Sequence, residues 1–594
     1  MPLPATRRGR RRFHRSHGRG LRRSPVSLAG VVTPARPSLG AYVLVALITV
    51  AVCSPALRTA FFTLDDYRYL QELRSIDAGQ PGAWVRAMVV ENRWDVHWWI
   101  RDGTFVRFFR PLVIWFYAAD RAIWGLQPIG FVATNIALHL VVTLLAMALY
   151  ARVLGSTLGT VVASLAFGTQ CAHMENLYYI AGRTGTIAAL AFLGAVLLHL
   201  RTRASPRRSQ LAVAGVCFLA FLGKEFCVLL PGFLVLLDYW LPPEGEPSRL
   251  RWAIRRNAQL LIACAVLGVV YLVLRQLAFG EGGSGGRPYP YFHFPNHEGF
   301  AAHTLAKWLQ YSAGLTVGTF VQTFETPEGI YGRIPTIELI AGAVWVPALC
   351  VWACRLRSGR WLTALFLLNL LPLLPLYSSA RYLYLPSIGY CGLLGLVAAR
   401  VPAGPARPWL LSVGGALLVA LPALRLAETL DTYPRSLSSP DPAIFFAKMV
   451  QGGNLELRAD RPAFLLEVPG SWYELQFFPF ALEVVLDRDM PPLRVLTAAP
   501  LAEPRRVVVR RVDAYTIELR RPGGRLLDLP PGGFPPRTFA PGDTVRRDGY
   551  TVEIVAAPRG HPTIVRVHFD RPLSEVDIGR FAKEAHWRLQ RVTF

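Results

Sequence analysis

Charge is scarce in this chain, lysine scarcer still, and cysteine is scattered without a framework. Asp, Glu, Lys and Arg together make up 17% of the 594 residues, against about 25% in an ordinary soluble domain. That deficit, with 52% hydrophobic residues, excludes a wholly soluble chain and places much of it in lipid. The positive charge is almost all arginine, and the lysines are only Lys224, Lys307, Lys448 and Lys583. The eight cysteines (Cys53, Cys171, Cys217, Cys227, Cys264, Cys350, Cys354 and Cys391) lie in or beside apolar runs. They read as buried thiols rather than a disulfide scaffold. Cys350 and Cys354 stand at helical spacing, but no His or further Cys flanks them, which excludes a zinc site. A cleavable signal peptide is also excluded, because the basic start is too long and the first apolar run has full span length.

What is present is arginine in particular places. The net charge of +25 suggests nucleic acid, but no reading motif accompanies it. One block fills the start (Arg7, Arg8, Arg10, Arg11, Arg12, Arg15, Arg19, Arg22, Arg23). Others occupy short gaps between apolar runs, the pattern of cytoplasmic anchoring. Residues 1–39 read as a disordered cytoplasmic tail.

A membrane span needs about 20 apolar residues. Candidate runs are 40–60, 131–153, 155–171, 182–200, 209–223, 226–241, 252–278, 337–356, 361–377, 381–400 and 408–427. The stretches 105–126 and 303–324 carry charge and are ambiguous. Sidedness decides between the readings. With residue 1 inside and both ambiguous stretches on the outer surface, Arg152, Arg201–Arg208, Arg251–Arg256, Arg355–Arg360 and Arg400–Arg407 all fall inside, as the positive-inside rule requires. The long run 209–241 must then break at Gly223-Lys224-Glu225. The expectation is about eleven spans over 40–429, outer loops at 61–130 and 280–336, and an outer C-terminal region, 430–594. The outer loop 61–130 holds several arginines, but long loops obey the rule poorly.

With the sides assigned, one face collects the polar residues: Asp65 and Asp66 after an aromatic pair, Arg110, His173 and Glu175, Arg183, Lys224 and Glu225, and Arg381 with Tyr384. Charges at span ends are costly to desolvate and mark functional sites. Simpler roles compete. Asp65-Asp66 suits a helix N-cap, Lys224-Glu225 a structural ion pair, and Arg381 a snorkelling cation. Asn135 and His139, one helical turn apart within a span, read as interhelical hydrogen-bonders.

Four stretches carry a resemblance: Leu64-Asp65-Asp66-Tyr67; His173-Met174-Glu175-Asn176 through Gly182-Arg183; Gly223-Lys224-Glu225 with Pro231 and Asp238; and Arg381-Tyr382-Leu383-Tyr384-Leu385-Pro386. Arg110-Pro111-Leu112 with Asn135 and His139 adds a weaker fifth. In order, spacing and sidedness they resemble the GT-C superfamily of polyprenyl-phosphate-sugar glycosyltransferases, most of all the membrane part of TMTC-type and protein O-mannosyltransferases, over roughly residues 40–400. The resemblance implies an inverting transfer from a polyprenyl-phosphate sugar to an acceptor hydroxyl on a protein, glycan or lipid. Asp65 is the implied base, with Asp66 orienting it or contacting the acceptor. Arg183, Lys224 and Arg381 are implied at the departing phosphate, with His173 and Glu175 lining the cavity. No cofactor is required, though some relatives use a divalent metal.

The chain departs from the TMTC pattern after the membrane region, where no repeat of about 34 residues follows. Residues 430–594 read instead as strands, at 463–468, 506–512, 550–555 and 563–569, separated by Pro/Gly clusters such as Pro530–Gly533. An all-β sandwich or small barrel is expected, with a final helix near Ile578–Gln590. The fold class is thus an α-helical polytopic membrane protein with a C-terminal all-β soluble domain. The Arg-rich composition suits a GC-rich bacterium, hence the inner membrane, a periplasmic C-terminal domain and an undecaprenyl carrier. Three alternatives remain. A lipid or polysaccharide transporter would show internal repeats with paired helix breaks, and none is visible here. A surface-polysaccharide polymerase or ligase would rely on late-loop Arg and His rather than an early acid pair. A non-catalytic member would keep the motifs without activity.

Overall fold

In lipid every amide must find its partner within its own segment, so apolar runs fold as helices. The computed structural model describes residues 34–63, 65–203, 206–243, 245–280, 295–296, 299–318, 334–402, 404–436, 442–469, 477–499, 507–522, 524–527, 537–583 and 587–593. The arginine block 7–23, Leu64, most of the loop 280–336 and the Pro530–Gly533 cluster lie outside these residues. Helix occupies all eleven expected spans. Among the described residues, seven helices are long and apolar enough to cross a membrane: Leu39–Thr59, Pro128–Leu154, Ile180–Thr202, Ala258–Phe279, Thr336–Ala353, Ala380–Arg400 and Arg407–Thr432. Thr157–Gly168 and Ser209–Gly223 are shorter apolar helices. Leu230–Trp240 and Arg357–Leu370, at two further expected spans, also fall short of spanning length, so the described residues supply seven such helices where eleven spans are expected. The helix ending at Gly223 stops where expected: Lys224 is extended (φ −161°, ψ 133°), and the chain resumes through a 3-10 turn, Glu225–Leu229, into Leu230–Trp240 with Pro231 in its first turn.

Small residues let helices close on one another. Thr157–Gly168 crosses Tyr384–Arg400 at Gly159 and Gly395, where a Cβ on Gly159 would come within 2.6 Å of the Gly395 carbonyl oxygen.

Both ambiguous stretches turn out differently. The first begins as a strand: β1 (Val89–Arg93) pairs antiparallel with β2 (Phe105–Phe109), and only then does the helix Pro111–Trp124 start. The second, Phe300–Thr316, is a helix with one side packed against the protein. Its His303, Lys307, Gln310 and Tyr311 are buried, and Lys307 donates to the carbonyls of Leu373, Leu376 and Tyr377.

Beyond the membrane region the strands are β3 (Ala463–Leu466), β4 (Val468–Pro469), β5 (Leu493–Val495), β6 (Ala498–Ala499), β7 (Val508–Arg511), β8 (Thr516–Arg520), β9 (Thr544–Arg547), β10 (Tyr550–Ala556), β11 (Ile564–Phe569), β12 (Asp577–Lys583) and β13 (Trp587–Arg591). Five form an antiparallel sheet in the order β7-β8-β11-β10-β9, and four form a second, β13-β12-β3-β5, in which β3 is parallel to both neighbours. The sheets are accompanied by helices Pro442–Gln451 and Phe478–Leu486. Where the final helix is expected, the described residues form strands instead, with Gly579–Lys583 of β12 paired antiparallel to Trp587–Arg591 of β13.

The tip of the β1–β2 hairpin is built into this C-terminal core. Trp94, Trp98 and Trp99 are buried in one apolar cluster with Phe464, Ile517, Tyr550 and Phe569. Trp98 Nε1 donates to the Leu496 carbonyl (2.9 Å), and the Arg537 amide to the Trp99 carbonyl (3.0 Å).

Candidate active site

Asp65 and Asp66 open the helix Asp65–Asp77 and part company at once. Asp66 is fully buried. Its Oδ1 accepts from Tyr117 Oη (2.6 Å) and the Ala181 amide (2.7 Å), and its Oδ2 from the Thr63 amide (2.8 Å). Burial pushes its carboxyl up to about 7, while the three donors and their partial charges pull it back. Asp66 therefore ties together the loop before its helix, the helix Pro111–Trp124 and the turn before Arg183. It does not cap its own helix. Asp65 is only partly buried. Its Oδ2 accepts from Tyr179 Oη (2.6 Å), while Oδ1 has no hydrogen-bond partner among the described residues.

Tyr179 joins this carboxylate to a group of cations. The Arg381 guanidinium lies over its ring, 5.3 Å from the centroid, and also faces Tyr377 and Tyr382 at 5.7 and 5.8 Å. Arg381 donates to Tyr377 Oη as well. Lys224 sits over the Tyr382 ring at 5.5 Å. It is buried, and no carboxylate lies within ion-pair distance of it among the described residues. Burial, then the like charges of Arg110 and Arg381, lower its ammonium to about 7, with Glu225 opposing. Arg110 forms a two-pronged pair with Glu225, each contact 3.3 Å. The expected Lys224–Glu225 pair is thus an Arg110–Glu225 pair. Of the three cations, Arg110 alone makes an ion pair with a carboxylate among the described residues.

An apolar groove of about 920 Å³ leads to this cluster. Phe221, Val228, Leu261, Val269 and Leu272 form its walls, and Arg110, Glu225 and Tyr382 stand among its lining. One wall is the helix Ala258–Phe279, which exposes Ile262, Val266, Val269, Val273 and Leu277 outward. In a membrane-spanning helix such a face meets lipid.

The other expected site residues are enclosed. Arg183, assigned above to the phosphate, is 0% exposed. It pairs with Asp120 at 2.6 Å, donates to the Phe131 and Ile180 carbonyls, and lies 5.0 Å from the Tyr117 ring centroid. A guanidinium so occupied is a strut between helices. Glu175, expected to line the cavity, accepts from Ser379 Oγ and from the amides of Ala380 (3.1 Å) and Arg381 (3.4 Å). It fixes the turn that presents Arg381. His173 is buried against Tyr384, Phe167 and His139, its Nε2 2.8 Å from Ser387 Oγ. Tyr384 meets His139 Nδ1 at 2.6 Å. Asn135 donates to the Leu177 carbonyl, an interhelical bond as expected.

The sequence reading missed the tyrosines Tyr117, Tyr179, Tyr377 and Tyr382, and it missed Asp120 as a partner. Their signal was the aromatic density beside each charged motif, Tyr178-Tyr179 before Arg183 and Tyr377 before Arg381. Among the described residues, no three His, Cys, Asp or Glu side chains converge as metal ligands.

No family model matches the chain. The solved structures similar to it are glycosyltransferases of the GT-C class. ArnT from Cupriavidus metallidurans bound to undecaprenyl phosphate shares 14% identity, covering 78% of this chain and 87% of that one at a TM-score of 0.45. The Archaeoglobus fulgidus oligosaccharyltransferase tethered with an acceptor peptide shares 12%, covering 77% and 64% at 0.45. Among curated proteins the chain is similar to protein O-mannosyl-transferase TMTC1 of Mus musculus, 28% identical over 211 residues. That match covers 33% of this chain and 22% of the mouse protein, so the chain spans less than a quarter of that relative's length.

Proposed function

We propose that this chain is an inverting glycosyltransferase that moves a sugar from a polyprenyl-phosphate carrier to an acceptor hydroxyl at the outer face of a bacterial inner membrane. The observation that carries the reading is the link Asp65–Tyr179–Arg381, joined through Tyr382 to the lining of the apolar groove. A polyprenyl chain suits the groove, and its phosphate suits Lys224 and Arg381, which make no ion pair among the described residues. Asp65 Oδ1 takes the proton of the acceptor hydroxyl, whose oxygen attacks the anomeric carbon from the side opposite the phosphate. The bond from that carbon to the phosphate oxygen breaks, and its electron pair leaves with the phosphate. Lys224 and Arg381 stabilise the charge developing there. Tyr179 holds Asp65 oriented through its hydrogen bond. Asp66, already saturated by three donors, positions the helix that carries Asp65.

The reading routes no step through a metal. A divalent cation, where the reaction draws on one, has the free oxygen of Asp65 as its nearest available acidic ligand, and transfer in the presence of EDTA tests this. The proposed organisation is a cytoplasmic tail (1–39), a transmembrane transferase (40–429) and a periplasmic region (430–594). Transfer of radiolabelled hexose from undecaprenyl-phosphate hexose into a membrane fraction, comparing wild type with Asp65→Asn, tests the assignment. Loss in an equally abundant variant supports the base. Activity surviving the change moves the base elsewhere, and a wild type inert with every such donor returns the choice to a transporter.

A further inference from the structure

A second cavity, of about 590 Å³, opens between two hairpins. On one side is the tip of β1–β2, with Arg93, Asp95 and Asp102. On the other are the β9–β10 turn, with Arg546 and Arg547, and Asp570 just past β11. We propose that this cavity holds the saccharide part of a glycan acceptor, an assignment that rests on the transferase reading above.

The chemistry of the lining chooses the ligand. Each guanidinium is matched to a carboxylate: Arg93–Asp95 at 3.1 Å, Arg547–Asp102 at 2.7 Å and Arg546–Asp570 at 3.2 Å. Asp548, which also lines the cavity, pairs with Arg494. No cationic excess is left for a phosphate or an acidic lipid, in contrast to the Lys224 cluster. What remains is a dense set of planar two-pronged donors and acceptors. These match the vicinal hydroxyls of a neutral sugar, each of which both donates and accepts. The volume lies within the roughly 300–1,000 Å³ of small-molecule sites.

Position agrees with chemistry. Phe105 lines both this cavity and the apolar groove, so the two adjoin. Arg68, one helical turn after Asp65, donates to the Glu91 carbonyl in mid-β1, and Arg93 at the cavity lies two residues further along, roughly 7 Å of strand. A saccharide in the cavity therefore has its end within a few sugar units of Asp65. The cavity is also held rigidly, because Arg547 donates to the Ile100 carbonyl (2.9 Å) while the tip's tryptophans are packed into the C-terminal core.

The test uses the full-length protein in nanodiscs and saturation-transfer difference NMR with neutral linear hexose oligosaccharides of two to six units (mannans, glucans and galactans). The double variant Arg546→Ala, Asp570→Asn alters exposed side chains away from Asp65 and the cation cluster. Binding of at least one series by wild type, weakened at least tenfold in the double variant, is the expected result. No binding by any series, binding unchanged in the variant, or binding of a Ser/Thr hexapeptide in place of sugar overturns the proposal. The last outcome assigns the cavity to a peptide acceptor. Undecaprenyl-phosphate binding, followed by thermal shift on the same samples, stays unchanged in the variant. Its absence from the wild type defeats the donor reading separately from the saccharide result.

Discussion

The polar residues of the candidate site divide into an enclosed set, whose bonds are taken up, and an open set, with bonding capacity left, although both come from the same short motifs. Asp66, Arg183, Glu175 and His173 direct their bonds to groups inside the protein: Asp66 to three donors, Arg183 to Asp120, Glu175 to the turn before Arg381. Asp65 keeps one oxygen without a partner, and Lys224 has no carboxylate beside it among the described residues. A buried charge that is fully paired holds helices in place. A charge left with bonding capacity is there for something that arrives. The difference separates scaffold from chemistry better than residue type does, since each set contains an acid and a cation.

The sharpest way to break this division is Asp65→Asn. Loss of a general base costs on the order of 10²–10⁴ in rate. The expected outcome is transfer reduced by about 10³ with melting temperature and abundance unchanged, while Asp66→Asn lowers the melting temperature as well. Arg183→Ala comes next. Removing one partner of a buried pair costs about 3–5 kcal/mol, so thermal unfolding of the purified protein should show a large loss, and the isosteric apolar pair Arg183→Met with Asp120→Leu should recover part of it. A variant that folds normally but binds donor poorly would move Arg183 into the open set. Lys224→Ala should lower kcat/KM for the donor by about 10²-fold, the scale of one lost electrostatic donor.

The lysine also sharpens the comparison through pH. Its ammonium is held down to about 7, so it is charged below that value and neutral above it. Affinity for undecaprenyl phosphate should therefore fall as pH rises above about 7, by up to tenfold per unit, and Lys224→Arg should flatten the profile. The smallest effect belongs to Tyr179→Phe. Losing one hydrogen bond to a carboxylate, about 1.5 kcal/mol, should reduce kcat roughly tenfold and leave donor KM unchanged.

Much of the fold is legible in the residues alone. Helix positions and the break at Lys224 follow from apolar length and arginine placement, because lipid leaves the backbone few options. Four strands follow from runs rich in Val and Ile. What the residue order does not convey is pairing. Consecutive residues on a helix point about 100° apart, so Asp65 and Asp66 read as one unit and fold as two. Asp120, the partner of Arg183, lies 63 positions away on a stretch too charged to read as a span. The misread final helix has the same cause: Phe581-Ala582-Lys583 has good helix formers, but antiparallel pairing with Trp587–Leu589 overrides them.

The tryptophan-bearing tip of the β1–β2 hairpin has a consequence in time. Trp94, Trp98 and Trp99 are made well before the strands that enclose them, which come from residues 463–581. At about 5–20 residues per second, roughly 20–70 s separates the two. Throughout that interval the hairpin presents three indoles to its surroundings. The newborn chain thus carries an adhesive loop that a much later segment of the same chain covers, and a chain truncated before residue 463 lacks that cover.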